Sequence, residues 1–352
     1  MPLQQINLIV GKNASGKSRA MNVMNGLARC LTGVERVPIQ GEFLATFSAE
    51  GDTYKYSLRA KENKVIEESF QKGDHFLLSR REGGFGRMFF AGLNEEMDFH
   101  APPETIASST RADIVQAPYL LPLIDWAREV YFYPCSTDLG KNTVHIVRPD
   151  APAMDPKDPS QTVPVFREGE RRFGPAFTNG IIRDMATIGY ELTALTVGAP
   201  QTIQLNPPMD SLTIFVREQG VGSAFDQFAM SVGMYRALAI IIHLNFALLD
   251  RKAQCFIIDD IGEGLDFDRS SALIQVVVDK VQASPDTQLI MTTNDRNVMN
   301  GVDLEYWSVL SRQGSEVFPL TKANRPKEFE EFRYTGLSNF DLLARNFLSD
   351  PL

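Results

Sequence analysis

The spacing of apolar positions changes period several times along the chain, and each change marks an element. "INLIV" at 6–10 is a short β-branched run that stops at Gly11. In "SRAMNVMNGLARCL", by contrast, Met21, Met24, Leu27, Ala28 and Leu31 recur at helical intervals. The first pattern predicts a strand and the second a helix, joined by a glycine-rich turn. From Gly41 to Phe90 the period falls to two: "EFLATFSA", "TYKYSLRA" and "KVIEESF" are separated by "EGD" and "KEN", which predicts an antiparallel meander. Residues 101–130 predict helix, with "APYLLPLIDWAREV" feeding a strand "YFYP" at 131–134.

Proline and aspartate concentrate at 148–164, "RPDAPAMDPKDPSQTVP", and predict a solvated loop. Beyond it the pattern predicts a helix over "FTNGIIRDMATIGYELTALTVG", a strand "SLTIFVREQG" and a long helix from Phe225 to Leu249. The last third reads as strand 255–259, helix 269–283, strands 288–293 and 305–312, and a helix within 337–348. There is no internal repeat, and no heptad run long enough for a coiled-coil arm.

Composition narrows the function classes. With 352 residues, 43% of them hydrophobic, the chain can supply its own core. A balance of 35 basic to 44 acidic residues, net −9, argues against a surface that coats nucleic acid, while leaving room for a local basic groove. Cys30, Cys135 and Cys255 are far apart with no C-x-x-C pair, so neither a disulfide framework nor a zinc knuckle is indicated. "MPLQQINLIVG" lacks the basic start of a signal peptide. "ALAIIIHLNFALL" at 237–249 contains His243 and Asn245 and falls short of the roughly 20 residues a membrane span needs. A cytoplasmic protein without a membrane partner is expected.

The chemistry is carried by "GKNASGKS", residues 11–18, which fits G-x-x-x-x-G-K-[ST] at every fixed position between a strand and a helix. Glycines let backbone N–H groups curl around phosphate oxygens, and the helix N-terminus adds its dipole. The run Gly11, Lys12, Asn13, Ala14, Ser15, Gly16, Lys17, Ser18 and Arg19 is therefore the expected ATP-contacting segment. Lys17 would reach the terminal phosphates, and Ser18 would ligate Mg2+. Asp259 ends "CFIID" where a second magnesium ligand is expected, and Asp260 follows it. Lys17 and Asp259 lie much further apart than in small GTPases, so something large is inserted between them. The histidines show no ligand spacing; His243, on an apolar helix, is expected to be a satisfied core residue.

With "SVGMYRALA" at 231–239, "GEGLD" at 262–266, "LIMTTND" at 289–295 and "FEEFRYTGLSNFDLL" at 329–343, the chain resembles an ABC-type ATPase. The soluble branch in question includes SMC-like proteins, overcoming-lysogenisation-defect nucleases and the bacterial AAA family ATPases of defence loci. Ser231, Gly233 and Arg236 match its signature S-x-G-x-x-R, although Ser231 alone also reads as an ordinary helix cap. Asp266 matches the acid of its D-loop. The resemblance implies a head-to-tail dimer that sandwiches two ATP molecules, with Ser231 and Gly233 of one subunit facing the phosphates held by Lys17 of the other.

Three departures qualify the resemblance. Asp260 stands where the family places a catalytic Glu and is one methylene shorter; a carboxylate displaced by about 1 Å can cost around a hundredfold. Asn294 stands at the switch His position and cannot take up a proton. Ten residues before Gly11 leave no room for an upstream adenine-stacking aromatic. Slow hydrolysis is expected, with Asp260, Lys17 and Asn294 as the catalytic set. Glu263 either takes part or is a turn acid facing solvent, and Gln40 is the candidate for the residue that couples phosphate to the helical lobe. "SRREGGFGR" at 79–87 and "REGERRFG" at 167–174 either grip nucleic acid or are solvated loops.

The expected fold is α/β, a P-loop ABC-type domain with a mixed β-sheet core, an antiparallel β subdomain and a helical lobe. Its organisation is a single domain over 1–352: P-loop core 1–40, antiparallel subdomain 41–100, helical lobe and inserted loop 101–230, and signature-to-C-terminal part 231–352. The expected function is an ATP- and Mg2+-dependent dimerisation switch, in a homodimer or higher homo-oligomer. It would control a co-encoded effector, a nuclease or toxin, in antiphage defence. The alternative is a DNA-associated repair or recombination ATPase acting as a clamp.

Overall fold

The computed structural model describes residues 1–49, 51–148, 150, 153–206, 210–252 and 254–348. The chain divides into two compact units, one made of Met1–Met21 with Tyr131–Leu352 and the other of Asn22–Val130. In chain order, β1 (Ile6–Gly11) leads into α1 (Lys17–Leu31). Six strands follow, β2 (Gln40–Ala49), β3 (Asp52–Lys61), β4 (Lys64–Lys72), β5 (His75–Arg80), β6 (Phe85–Phe90) and β7 (Glu95–His100), and then α2 (Ala107–Arg111) and α3 (Leu121–Arg128). Next come β8 (Val130–Pro134), β9 (His145–Ile146), α4 (Thr162–Phe173), α5 (Pro175–Thr187), β10 (Leu192–Gly198), β11 (Ser211–Glu218), β12 (Phe225–Asp226) and α6 (Val232–Asp250). The last are β13 (Gln254–Asp259), α7 (Phe267–Gln282), β14 (Thr287–Thr292), α8 (Arg296–Gly301), β15 (Trp307–Gln313), β16 (Glu316–Thr321), α9 (Pro326–Arg333) and α10 (Asn339–Ala344).

The first unit is organised by a six-stranded sheet in the order β16-β15-β1-β14-β13-β8. β1 runs parallel to β14 and β15, β13 runs parallel to β14, and β16 returns antiparallel to β15. Every residue of β1 and β13 is buried, which is why "INLIV" and "CFII" show no polar alternation: a parallel strand at the centre is covered on both faces. Helix α6 is apolar all round and accordingly lies inside, packed against α4, α5 and α7. It is the one described helix long and apolar enough to cross a membrane, and 78% of that stretch is buried within the protein. Its polar residues are used internally. Asn245 Nδ2 donates to Asp184 Oδ2 at 2.7 Å, and Lys280 pairs with the same carboxylate at 2.9 Å. His243 Nδ1 meets the Pro156 carbonyl at 2.9 Å, whereas its buried Nε2 finds no partner.

The second unit is built on an antiparallel meander of six strands, β2 to β7 in order, where the sequence reading named three. One face carries Tyr54, Tyr56, Leu58, Phe70 and Leu78, all buried. The segment with α2 and α3 covers that face: Phe47 meets Trp126 edge-on at 5.2 Å, and the Tyr119 hydroxyl donates to the carbonyls of Leu77 and Phe89. Glu68 and Arg80, wholly buried, fix the cover in place. Glu68 accepts from the Ala107 and Ser108 N–H groups and the Ser108 hydroxyl, while Arg80 donates to the carbonyls of Ala101, Pro102 and Thr105.

Several elements differ from the sequence reading. The helix expected over 177–198 ends at Thr187; Gly189 takes φ +91°, and Leu192–Gly198 is a strand because β11 pairs with it. The helix expected from Phe225 begins at Val232, since Phe225 and Asp226 pair with Val216 and Phe215. The stretch expected as a helical lobe therefore also carries the small sheet of β9 to β12. Of the proline-rich loop, residues 149, 151 and 152 lie outside the described residues, and 162–164 already form the first turn of α4. The basic cluster at 167–174 is helix rather than loop: Arg171 pairs with Glu168 at 2.6 Å, and Arg172 with Asp250. In the cluster at 79–87, Arg80 is buried on Glu68 and Arg87 pairs with Asp98 and Glu96. α9 and β16 were not anticipated.

Candidate functional site

β1 stops at Gly11, and the chain turns through Lys12, Asn13, Ala14 and Ser15 before α1 starts at Lys17. The Ser15 N–H closes the turn on the Lys12 carbonyl at 3.0 Å, with Ala14 at φ +64° and Gly16 at φ +101°. Gly11 has no room for a side chain. A Cβ there would strike Ser15 Oγ and stand 3.0 Å from the Leu310 carbonyl oxygen. Ser15 Oγ is buried with no hydrogen-bond partner. Lys17 is buried, and its ammonium donates to the Gly11 carbonyl at 2.9 Å and to the Lys12 carbonyl at 3.4 Å. Lys12, Asn13, Ala14, Ser18 and Arg19 are exposed around the loop.

The opposite wall is built at the ends of β13 and β14. Thr292 Oγ1 donates to Asp259 Oδ1 at 2.6 Å and accepts from the Asp260 N–H at 2.8 Å. Asn294 Nδ2 donates to Asp260 Oδ1 at 2.9 Å. Asp260 sits at φ +58°, a left-handed conformation that is uncommon outside glycine and turns the chain sharply after the strand. The charges feel one another. Burial draws the Lys17 pKa down, against the upward pull of Asp260 and Asp259. Burial also raises the Asp260 carboxyl above its usual range, reinforced by Asp259 and opposed by Lys17 and the Asn294 hydrogen bond. Sequence reasoning singled out all of these except Thr292, whose position at the end of β14 was the available signal.

The remaining predicted residues line helix starts. Ser231 is exposed and caps α6, its hydroxyl accepting from the Met234 N–H at 3.1 Å. Two residues on, a Cβ at Gly233 would strike the Gly264 carbonyl and stand 2.9 Å from Leu265, so glycine is what lets the turn after Asp260 lie on the start of α6. Arg236 ties them together, donating to the Glu263 carbonyl at 3.1 Å, while the Glu263 side chain is exposed. Asp266 caps α7. It accepts from the Arg269 N–H at 3.0 Å and pairs with the Arg269 guanidinium at 2.9 Å, contacts that hold its carboxyl below the usual range.

The loop after β8 went unrecognised in the sequence. The Cys135 N–H donates to the Asp259 carbonyl at 2.9 Å, and Arg236 Nε donates to the Thr137 carbonyl at 3.1 Å. Gln227, wholly buried, donates to the carbonyls of Gly140, Lys141 and Thr143, which ties this loop to the segment entering Ser231. Gln40, the candidate coupling residue, instead opens β2 in the second unit, opposite Lys61.

The orphaned Ser15 hydroxyl, the side-chain-free cradle at Gly11 and a buried ammonium resting on carbonyls together fit a phosphate group. Ser18, exposed at the start of α1, and Asp259, at the end of β13, carry the kind of oxygen donors that Mg2+ takes. Among the described residues, no group of three or more His, Cys, Asp or Glu is placed to hold a metal unaided.

Among solved structures, the Smc head bound to the C-winged helix domain of ScpA aligns at TM-score 0.53, with 12% identity over 91% of this chain and 92% of that one. The Pyrococcus furiosus Smc head domain with an extended coiled coil, bound to the C-terminal domain of ScpA, aligns at TM-score 0.52, with 12% identity over 95% and 94%. At that identity the likeness is one of fold, and it is the fold of SMC heads. No curated protein matches by sequence. The family described as "AAA domain, putative AbiEii toxin, Type IV TA system" matches residues 6–300, a span that holds the loop at Gly11, the acids at the end of β13 and the start of α6, and the chain belongs to that family of ATPase domains.

Proposed function

We propose that this ATPase domain is a slow, ATP-dependent dimerisation switch that controls a partner protein, a nuclease or toxin effector in bacterial antiphage defence. The observation that carries the reading is the state of Asp260. It follows Asp259 directly, on left-handed backbone, with one carboxylate oxygen engaged by Asn294 and its pKa raised by burial. Bound Mg-ATP would supply the phosphoanhydride, held by Lys17 and the loop at 11–18, with the metal on Ser18 and Asp259. Asp260 would serve as the proton acceptor. A carboxylate one methylene short, with one oxygen already engaged by Asn294, is poorly placed to reach the attacking water, so the bound state lasts.

Ser231 and Val232, at the start of α6, face outward, as a surface meant for the nucleotide of a second copy would, while Gly233 is buried under the turn after Asp260. The toxin–antitoxin context of the family supports an effector partner, and the Smc heads of the same fold are seen bound to ScpA. The clamp alternative is less favoured, since four of the arginines in the two basic clusters, at 80, 87, 171 and 172, are paired with acids within the chain.

Phosphate release at saturating Mg-ATP, followed across protein concentrations, tests the switch. Turnover below the roughly 10 per second of a typical enzyme is expected, with specific activity rising with concentration and lost in Lys17→Ala and Asp260→Asn. Activity per molecule independent of concentration would remove the dimer from the reading. Salt-sensitive DNA binding that ATP strengthens would favour the clamp.

A further inference from the structure

β15 runs beside β1 as far as the Gly11–Leu310 pair and then continues past the end of its neighbour through Ser311, Arg312 and Gln313. β16 returns with Val317 opposite Arg312. This projecting, exposed hairpin backs the turn at 12–16. Arg312 Nη1 donates to the Ala14 carbonyl at 3.1 Å, while Nε donates to Gly314 at 2.9 Å and so fixes the guanidinium. A Val317 methyl lies 3.4 Å from where a Cβ on Gly16 would be. Among the described residues, Arg312 forms no ion pair.

Ala14 is the third residue of a four-residue turn, at φ +64°, a place that favours glycine. Alanine there is strained, and the strain persists only if something outside the turn holds it. The Ala14–Ser15 peptide is a rigid trans plate whose carbonyl and N–H point in opposite directions. Arg312 grips the carbonyl, while the N–H closes the turn on Lys12, whose carbonyl also receives the Lys17 ammonium. We propose that Arg312 is a positioning residue that holds the phosphate-binding loop in its binding conformation before nucleotide arrives. The proposal rests on the reading of residues 11–18 as a nucleotide site.

Arg312→Ala, Ala14→Gly and the double variant are compared in two ways: hydrogen exchange at the Ser15 amide in nucleotide-free protein, and affinity for a fluorescent Mg-ATP analogue. A charge-assisted hydrogen bond at an exposed position predicts roughly tenfold faster exchange and roughly tenfold weaker binding in Arg312→Ala. Glycine takes positive φ without steric cost, so Ala14→Gly should recover binding in the double variant to within about threefold of the natural protein. Arg312→Lys, which keeps one donor, should fall between. Unchanged exchange and affinity in Arg312→Ala overturn the proposal. So does a double variant as weak as Arg312→Ala, which would make the arginine's charge, and not the turn, its mode of action. If the natural protein binds no nucleotide, the function proposed above fails, while the exchange experiment still decides what Arg312 does to the turn.

Discussion

Glu68 with Arg80 in the second unit, wholly buried, and Lys17 with Asp259 and the half-buried Asp260 in the first, are both clusters of charge drawn out of water, and their surroundings treat them in different ways. Around Glu68 and Arg80 most of the hydrogen-bonding capacity is taken up by the protein: two N–H groups and a hydroxyl on the carboxylate, three carbonyls on the guanidinium, with only the buried Arg80 Nε left without a partner. Around Lys17 the accounts stay open. Its pKa is pulled down by burial, Asp260 is pushed up, Ser15 Oγ has no partner, and Ala14 and Asp260 both sit on left-handed backbone. A buried charge consumed by its own chain is scaffolding, whereas one left partly unsatisfied in strained surroundings is poised for a ligand.

The contrast can be broken most sharply at Glu68. Glu68→Ala leaves Arg80 as an uncompensated buried charge and should lower unfolding stability by about 3–5 kcal/mol, read from urea denaturation; a loss below about 1 kcal/mol would show that the network is not what holds the cover on the meander. His243 lies between the two cases, with one ring nitrogen bonded and one not. Burial lowers its pKa to about 4, against the Pro156 hydrogen bond and the charges of Asp158 and Asp155. The unfolded chain therefore takes up a proton that the folded chain refuses between pH 6.5 and about 4. Stability is complete above that window and falls across it by up to about 3 kcal/mol as pH drops. His243→Asn should flatten the slope, and a slope unchanged in the variant would assign it to other groups.

Lys17→Met removes a charge that the folded state already disfavours. It should change unfolding stability by no more than about 1 kcal/mol, in either direction, while abolishing binding of Mg-ATP; a loss as large as that of Glu68→Ala would mean that Lys17 is scaffolding too. The smallest effect belongs to Ser15→Ala. Removing a hydroxyl without a partner should shift stability by under about 0.5 kcal/mol and weaken nucleotide affinity several-fold. Unaltered affinity would deny that hydroxyl a phosphate.

The parts of the molecule legible in the sequence are those fixed by local requirements. Gly11 is demanded by Ser15 and Leu310, Ser231 and Asp266 by the helices they cap, and the apolar runs of β1 and β13 by burial on both faces. The illegible parts depend on contacts from afar. "ELTALTVG" has its leucines spaced as in a helix, and only pairing with β11 makes it a strand. Phe225 and Asp226 look like the first turn of α6, yet the Asp226 carboxylate is engaged by the N–H groups of Gln201 and Thr202. Thr292, Gln227 and the loop after β8 acquire their places from partners that no spacing rule reaches. The arginine clusters suggested nucleic acid because their acidic partners, Glu68, Asp98 and Asp250, lie elsewhere in the chain.

The pairing of β1 with β14 and β15 has a consequence for how the protein is made. At a synthesis rate of about 5–20 residues per second, the first strand leaves the ribosome roughly 15–60 seconds before either neighbour exists. Throughout that interval an apolar segment that will end at the centre of a sheet has nothing to pair with. The loop after Gly11 cannot be braced, and ATP cannot stabilise the nascent chain by binding it. A polypeptide cut short before β14 would therefore be without nucleotide affinity, so premature termination produces no partial ATPase to compete with the finished one.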